Sequence, residues 1–522
     1  MSSLAQVDAA SVVGELSMFD RLIFKGHLTG LYPDGAFAAF LSRQGVLLKD
    51  FKHYVAASTA RVKAHAEVMA AEEGRPIRYL AEATTKRQGT SKEDLARQIA
   101  ERDGVTEGLV CVFSVLEPCT SFDVRGNRAT HRLEVVRRRR KCLHLYFYVI
   151  DPELGWCHIR LQTWFPFTVQ VWVNGRDWLA RQLDRRGVGY LRWANALLAV
   201  DDLATARRLA ERFARRRWPA LLDVLARRVN PLLADVGRAG FGGYWWAIDQ
   251  AEVATDILFG SRAGLEAVWP DLARHAATAL SSGDVLRFLG RRLHPALAGE
   301  VTTSTYHRPE GWRVKHALNR NSIKIYDKAS VLRVETTINN PREFKVLRVT
   351  TTPEGRRPRR WMPMGKGVAN LWRYWQVATA ANDRYLDALT AAPLHGKALA
   401  TLDALCRPRT KAGRRFARLH PIEPADATLF AAVLAGEHAI AGFRNRDLAR
   451  RLHPHPPADP DEARRRCART CRLIAKLRAH GLVAKVHSTR RYRTTPYGNR
   501  VMTAALHVRQ TAFPTAYAIP AP

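Results

Sequence analysis

Residues 109–116 (Leu-Val-Cys-Val-Phe-Ser-Val-Leu) are almost continuously apolar, the pattern of a strand buried on both faces. Strand-like segments follow at 131–136, 143–150, 157–163 and 167–173, with the turn Asp151-Pro-Glu-Leu-Gly155 inside the series. The pattern predicts a meander of about five strands, closed by a helix that begins near Arg176. From 176 to about 298 the period lengthens to that of a helix. Segments 209–215 and 218–229 there place Arg on their outer faces. Near Trp312 the shorter period returns, with strands expected at 313–318, 322–328 and 331–338 around the turn Asn319-Arg-Asn321. A helical stretch at 367–389 and a Pro/Arg-rich connection to about Pro424 precede the last segment.

The first hundred residues mix short apolar runs, such as 22–24, with helix-like segments at 35–43 and 54–73. Ser91-Lys-Glu-Asp94 has the form of a helix cap for a helix through Ala100. No internal repeat is visible. The expected class is α+β: a mixed or antiparallel sheet core interrupted by a helical insertion and followed by a C-terminal winged helix. The boundaries drawn are an N-terminal α/β lobe (1–105), a first β-rich core segment (106–175), a helical insertion (176–298) and a second β-rich core segment (299–365). A helical connector (366–424), a winged helix-turn-helix (425–510) and a tail (511–522) complete the chain.

Charge narrows the function. Among 522 residues, 83 Lys+Arg face 48 Asp+Glu, and 83 − 48 gives a formal charge of +35. With 47% hydrophobic residues the chain has the composition of a folded protein, so the excess charge lies on folded surfaces. Such a surface repels itself unless a polyanion offsets it, and phosphate backbones are the commonest cellular polyanions. DNA is the expected partner, with RNA the alternative. No secretory signal opens the sequence, and no run of about 18 apolar residues exists to span a membrane. Seven cysteines, an odd number, fit a reducing compartment, so the expected location is cytoplasmic with no membrane partner.

Residues 425–510 give the most specific pattern. Helices are expected at 427–434, 443–452 and 462–480, with a Pro-rich insert at 453–460 and Gly481 as the left-handed stop. In the long helix Cys467, Thr470, Cys471, Ile474 and Leu477 share one side, and both cysteines read as small core residues. Arg464, Arg465, Arg466, Arg469 and Arg472 crowd the remainder, and Lys476 follows. Strands 482–486 and 491–494 enclose the basic tip His487-Ser-Thr-Arg490, adjoined by Arg491 and Arg493. The stretch "LIAKLRAHGLVAKVHSTRRYRTTPYGNRVM" resembles the recognition-helix and wing portion of MarR-like bacterial regulators. That resemblance implies a helix in the major groove and a wing on phosphate or minor groove.

Chemistry is suggested at 322–336. Alternation places Lys324, Tyr326 and Lys328 on one face of their strand, and Arg333, Glu335 and Thr337 on one face of the next. If those faces meet, Tyr326 is a candidate nucleophile for a phosphodiester. Lys328 and Arg333 would stabilise charge, and Glu335 would hold a divalent cation, Mg2+ or Mn2+. The pattern K-x-Y-D-K followed by L-R-x-E resembles rolling-circle replication initiators over about 15 residues. It departs from many relaxases in having no His-x-His outside His453-Pro-His455.

Glu117, at the end of the apolar strand, Asp151 and Glu335 form a candidate metal-binding trio of a nuclease. Arg137, Arg138, Arg139, Arg140 and Lys141 read as a basic loop between strands that would track a nucleic-acid backbone, with Lys324 as a further contact. Zinc is disfavoured at Cys142, His144, Cys157 and His158, because alternation sends Cys157 and His158 to opposite faces. The glycines at 240–243 lack the context of a phosphate loop.

Segments such as "FDRLIFKGHL", "CLHLYFYVID" and "TWFPFTVQVWVNG" resemble an uncharacterised family of bacterial proteins found around mobile DNA. The favoured expectation is a DNA-processing protein of a mobile element, of replication-initiator or transposase type. The alternatives are a non-catalytic DNA- or RNA-binding regulator and a metal-dependent nuclease.

Overall fold

The computed structural model describes residues 11–81, 91–308, 311–390 and 402–509. The strands that build the body, with one small hairpin, are β1 (Val12–His27), β2 (Ile77–Tyr79), β3 (Gly108–Asn127), β4 (Arg132–Asp151), β5 (Gly155–Gln162), β6 (Val169–Asn174), β7 (Tyr190–Trp193), β8 (Ala196–Val200), β9 (Trp245–Phe259), β10 (Val301–Arg308), β11 (Gly311–Leu318), β12 (Asn321–Lys328) and β13 (Val331–Ile338). Eleven of them form one sheet in the order β10–β11–β12–β13–β9–β1–β6–β5–β4–β3–β2. Neighbours are antiparallel except for β2, which runs parallel to β3. β7 and β8 form a separate hairpin. The chain is α+β, as its periodicity predicts.

The path repeats, although the sequence shows no repeat. β1 is followed by helices and then by the meander β3–β4–β5–β6, whose last strand returns to pair with β1. β9 is likewise followed by helices and by β10–β11–β12–β13, whose last strand returns to pair with β9. The two five-strand units join through the antiparallel pair β1–β9. This relates them by an approximate two-fold axis normal to the sheet.

Most of the core lies on one face of the sheet. In the first unit Phe24, Phe147, Ile159 and Val171 pack beneath helices Phe51–Glu72, Leu203–Ala214 and Trp218–Val229. In the second unit Ile257, Ile323, Ile325 and Val334 pack with helices Arg262–Thr278 and Leu371–Leu389. Burying a single aliphatic side chain of this kind contributes about 1.5–3 kcal/mol. The opposite face is polar at its centre and carries a smaller core at β3–β5, where Phe113, Tyr148 and Trp156 pack with Ala96 and Ile99 of helix Lys92–Arg102.

Three expectations are corrected. Residues 176–298 are not a helical insertion, because they contain the β7–β8 hairpin and the central strand β9. β9 is buried on both faces over most of its length, which removes the alternation that would have marked it. Residues 1–105 are not a separate lobe, since β1 occupies the middle of the sheet and β2 its edge. Segments 131–136 and 143–150 are one strand, so the meander has four strands and Arg137–Lys141 is strand rather than loop. The run stays extended because it pairs with residues 118–122 of β3 in a two-stranded arm.

The C-terminal region has its own core, with Phe430, Leu448, Ile474, Leu477 and Val501. Its helices are Pro424–Val433, Gly436–Ala441, Asn445–Leu452, Pro460–Ala479 and Pro496–His507. A hairpin, Val483–Lys485 with Tyr492–Thr494, gains a third partner where Phe443 bridges Tyr492. Gly481, at φ 74°, ends the long helix in the left-handed region, as expected. Cys467 and Cys471 are exposed, not core: the buried stripe is Thr470, Ile474 and Leu477, and both thiols lie beside Asn445. The region meets the body where Asn499 Nδ2 donates to Asp387 Oδ2 at 2.6 Å. The tail at 511–522 lies outside the described residues.

Candidate functional site

The polar face draws its central charges from four adjacent strands. Antiparallel register sets Tyr326 opposite Arg333 and Lys324 opposite Glu335, bringing the two expected faces together. The next strand, β9, places Asp256 opposite Arg333 and Glu252 opposite Thr337. A bulge in β1 between Phe19 and Arg21 inserts Asp20, whose side chain reaches the same cluster. At the junction of β6 with helix Gly175–Asp184, Gly175 lies against β1: a Cβ there would sit 2.2 Å from the Phe19 carbonyl oxygen. Only glycine permits that approach, which carries Arg176 into the centre.

Two linked groups result. In the first, Arg333 donates through Nε and Nη2 to the two oxygens of Asp256 at 2.6 and 2.8 Å, the bidentate geometry of a strong ion pair. Its Nη1 reaches Asp20 at 3.3 Å, and Nη2 also donates to the Asn195 carbonyl at 2.6 Å. Arg176 Nη1 lies 2.6 Å from Asp256, and Asn195 Nδ2 donates to Asp20 at 2.5 Å. This group ties β1, β9 and β13 to the β7–β8 turn.

In the second group, Tyr326 Oη donates to Glu335 Oε2 at 2.7 Å and Lys324 Nζ lies 2.6 Å from Oε1. Glu252 accepts from Gln250 at 2.7 Å and lies 3.7 Å from Arg21. Asp20, Glu252 and Glu335 each place a carboxylate oxygen within 4.8 Å of the others.

The acids divide in their proton affinity. Burial opposes ionisation of Glu335, yet Lys324 and the Tyr326 hydroxyl outweigh it and hold the carboxyl down at about 2. Burial, with Glu335 beside it, pushes Glu252 up to about 7 against the pull of Lys324 and Arg21. Burial and Glu335 also raise the Tyr326 phenol well above its ordinary range. Because the folded pKa of Glu252 exceeds its unfolded value, the stability it contributes is present below about pH 4.5 and is lost as pH rises through about 7. Glu252→Gln should therefore flatten the fall in stability across that window, read as the denaturation midpoint against pH. An unchanged pH profile would contradict the assignment.

The expected catalytic set is partly assembled. Tyr326 and Glu335 touch, and Lys328 Nζ lies 5.6 Å from the centre of the Tyr326 ring. Arg333 is committed to Asp256 and Asp20. The trio Glu117, Asp151 and Glu335 is not brought together. Glu117 on β3 and Glu335 on β13 are six strand steps apart, roughly 29 Å at about 4.8 Å per step. Asp151 lies nine residues along β4 from the partner of Glu117, and it caps its own turn by accepting from the backbone of Glu153 and Leu154. The carboxylates that do surround Glu335 are Asp20 and Glu252. Three such groups suit a hard cation, which would have to displace the cations now paired with them.

Cys157 is buried in the core and His158 stacks on Trp172 on the other face, in keeping with the case against zinc.

Of the expected nucleic-acid contacts, Arg137, Arg138, Arg139 and Lys141 are exposed along the β3–β4 arm. Arg140 stacks 4.0 Å over Trp164. Lys324 is nearly buried against Glu335, which corrects its reading as a free contact. Arg464, Arg465, Arg469 and Arg472 are exposed on their helix, and Arg490 is exposed at the hairpin tip. Lys476 turns instead toward Asp426 at 3.4 Å, while Arg491 and Arg493 donate to carbonyls of 440–442.

Sequence reasoning missed Asp20, Arg176, Asn195, Glu252 and Asp256. The available signal was an acid inside an apolar strand, as in Val253-Ala-Thr-Asp-Ile-Leu-Phe259. No family model, curated protein or solved structure matches the chain.

Proposed function

We propose that this is a DNA-binding protein whose C-terminal region works as a winged helix, as the MarR-like resemblance implies. The observation that carries the reading is the row of exposed arginines, Arg465, Arg469 and Arg472, on helix Pro460–Ala479 beside the Arg490 hairpin. Its charge suits phosphate, and a net +35 favours any polyanion. Titration of labelled duplex DNA and structured RNA over a range of salt tests it. Tight, salt-dependent duplex binding supports the proposal, a preference for RNA redirects it to the alternative partner, and failure to bind either overturns it.

A second reading, DNA processing on a mobile element, is favoured by the Tyr326–Glu335 contact at 2.7 Å. In that reading Tyr326 Oη attacks the phosphorus of a phosphodiester. The phosphorus–oxygen bond to the leaving sugar oxygen breaks, the phenolic proton passes to a neighbouring carboxylate, and the departing sugar oxygen takes up a proton from water to leave as a hydroxyl. A divalent cation at Asp20, Glu252 and Glu335 would polarise the phosphate. Incubation with supercoiled and single-stranded DNA and Mg2+ or Mn2+ should yield a covalent protein–DNA adduct that Tyr326→Phe abolishes. Cleavage without an adduct, lost in Glu335→Ala, would indicate a metal-dependent nuclease. Binding with neither product would leave a regulator.

A further inference from the structure

We infer that the polar sheet face is a path for a single nucleic-acid strand, leading from the Tyr326 centre to a second, cation-rich centre at Glu117. The inference rests on the nucleic-acid reading above and extends it to the body of the chain.

Register places both centres on one face. Glu252 opposes Arg21 on β1, and Arg21 opposes Asn174 on β6. Two and four residues back along β6, Trp172 and Gln170 share that face and oppose His158 and Arg160 of β5. Arg160 in turn opposes Tyr146 of β4. At the end of this series Glu117 accepts from Tyr146 Oη at 2.7 Å and from Lys92 Nζ at 2.7 Å, and lies 2.6 Å from Arg160 Nη2. The components resemble those at Glu335, a tyrosine and a lysine on one carboxylate, but the charge balance differs. Lys92 and Arg160 outnumber Glu117, whereas at the other centre Asp20, Glu252, Asp256 and Glu335 are matched by Arg21, Arg176, Lys324 and Arg333. The surplus positive charge at the Glu117 end suits a phosphate.

The floor between the centres is also suited to a nucleic-acid strand. Arg21 is 45% exposed, Lys25 is half-buried, and Trp172 stacks on the His158 ring with centroids 5.6 Å apart and planes at 6°. Burial and the neighbouring cations lower His158 to about 3, so that ring is neutral. From β12 to β4 the sheet spans six strand steps, roughly 29 Å. That length accommodates several extended nucleotides, within the site sizes common for single-strand readers.

The occupant is a single strand rather than a duplex, because the cations at both centres are recessed. Lys92 and Arg160 are 28% and 20% exposed and Lys324 only 14%, beside helix Lys92–Arg102 at one end and the β7–β8 turn at the other. A thin, flexible chain can follow such a floor. A duplex finds protruding arginines on the C-terminal helix instead.

The test compares fluorescence anisotropy of a labelled oligothymidylate, an oligouridylate and a duplex on the full chain. The variants are Arg21→Ala with Lys25→Ala, and separately Arg160→Ala, each checked for folding by circular dichroism. Both should weaken single-strand binding about tenfold or more while duplex affinity stays the same. The Arg465→Ala, Arg469→Ala, Arg472→Ala variant should do the reverse. The two single-stranded probes distinguish DNA from RNA. Unchanged single-strand affinity in a folded Arg21→Ala, Lys25→Ala variant overturns the inference, as does loss of single-strand binding in the C-terminal variant alone. If the unaltered chain binds no nucleic acid, the proposed function itself falls.

Discussion

Arg333→Ala should destabilise the fold by about 3–5 kcal/mol, the usual cost of leaving a buried charge without its partner. Arg333 has no exposed surface, and its guanidinium meets both oxygens of Asp256, one oxygen of Asp20 and the Asn195 carbonyl. Alanine would leave two carboxylates with Arg176 and the Asn195 amide as their contacts at the seam where β1, β9 and β13 meet. The loss should therefore fall on the joint between the two five-strand units. Arg333→Lys keeps the charge but not the planar fork, so it should lie between the wild type and alanine. Guanidinium denaturation followed by circular dichroism measures both. A loss below about 1 kcal/mol for alanine would mean that the network does not hold the units together.

What the sequence disclosed depended on whether local pattern or distant pairing decided the outcome. Strands β11 to β13 were legible because polar and apolar residues alternate across short turns. The meeting of Tyr326 with Glu335 followed from that register. β9 was not legible, since burial on both faces leaves no alternation, and Asp20 was not, since a bulge shifts the phase of β1. Glu117, Asp151 and Glu335 group in the sequence because each ends or occupies a strand-like segment. Only the strand order, invisible in sequence, separates them. The repeated path of the two units was equally hidden, because they share connectivity without matching residues. In the C-terminal region Gly481 and the Arg-rich helix are plain, yet the helical pattern puts Cys467 and Cys471 in the core. Cys471 stands one residue, about 100°, past Thr470, and Cys467 lies N-terminal to the buried Thr470–Ile474–Leu477 stripe, so both reach the surface.

That same helical phase supports the prediction for duplex DNA. Arg465, Arg469 and Arg472 recur at the i, i+4, i+7 spacing of one helical face, as do Thr470, Ile474 and Leu477 on another. At roughly 100° per residue the two stripes stand about 140° apart, so the side opposite the local core is a continuous row of exposed cations. Arg464 and Arg466 are already paired with Asp461 and Glu462, which leaves these three as the principal charges available to a ligand. Replacing all three with alanine should weaken duplex binding on the order of 100-fold. If each meets one phosphate, the dependence of log affinity on log salt should become shallower by about 2.7, at roughly 0.9 per contact. Arg490→Ala, at the hairpin tip, should cost less, and Lys476→Ala should act through stability because Lys476 faces Asp426. A uniform loss over all sequences would assign the row to phosphate, and relaxed preference at particular base pairs would assign it to the groove. An unchanged salt dependence in the triple variant would instead exclude this helix from the DNA contact, since three arginines cannot leave a phosphate backbone without altering ion release.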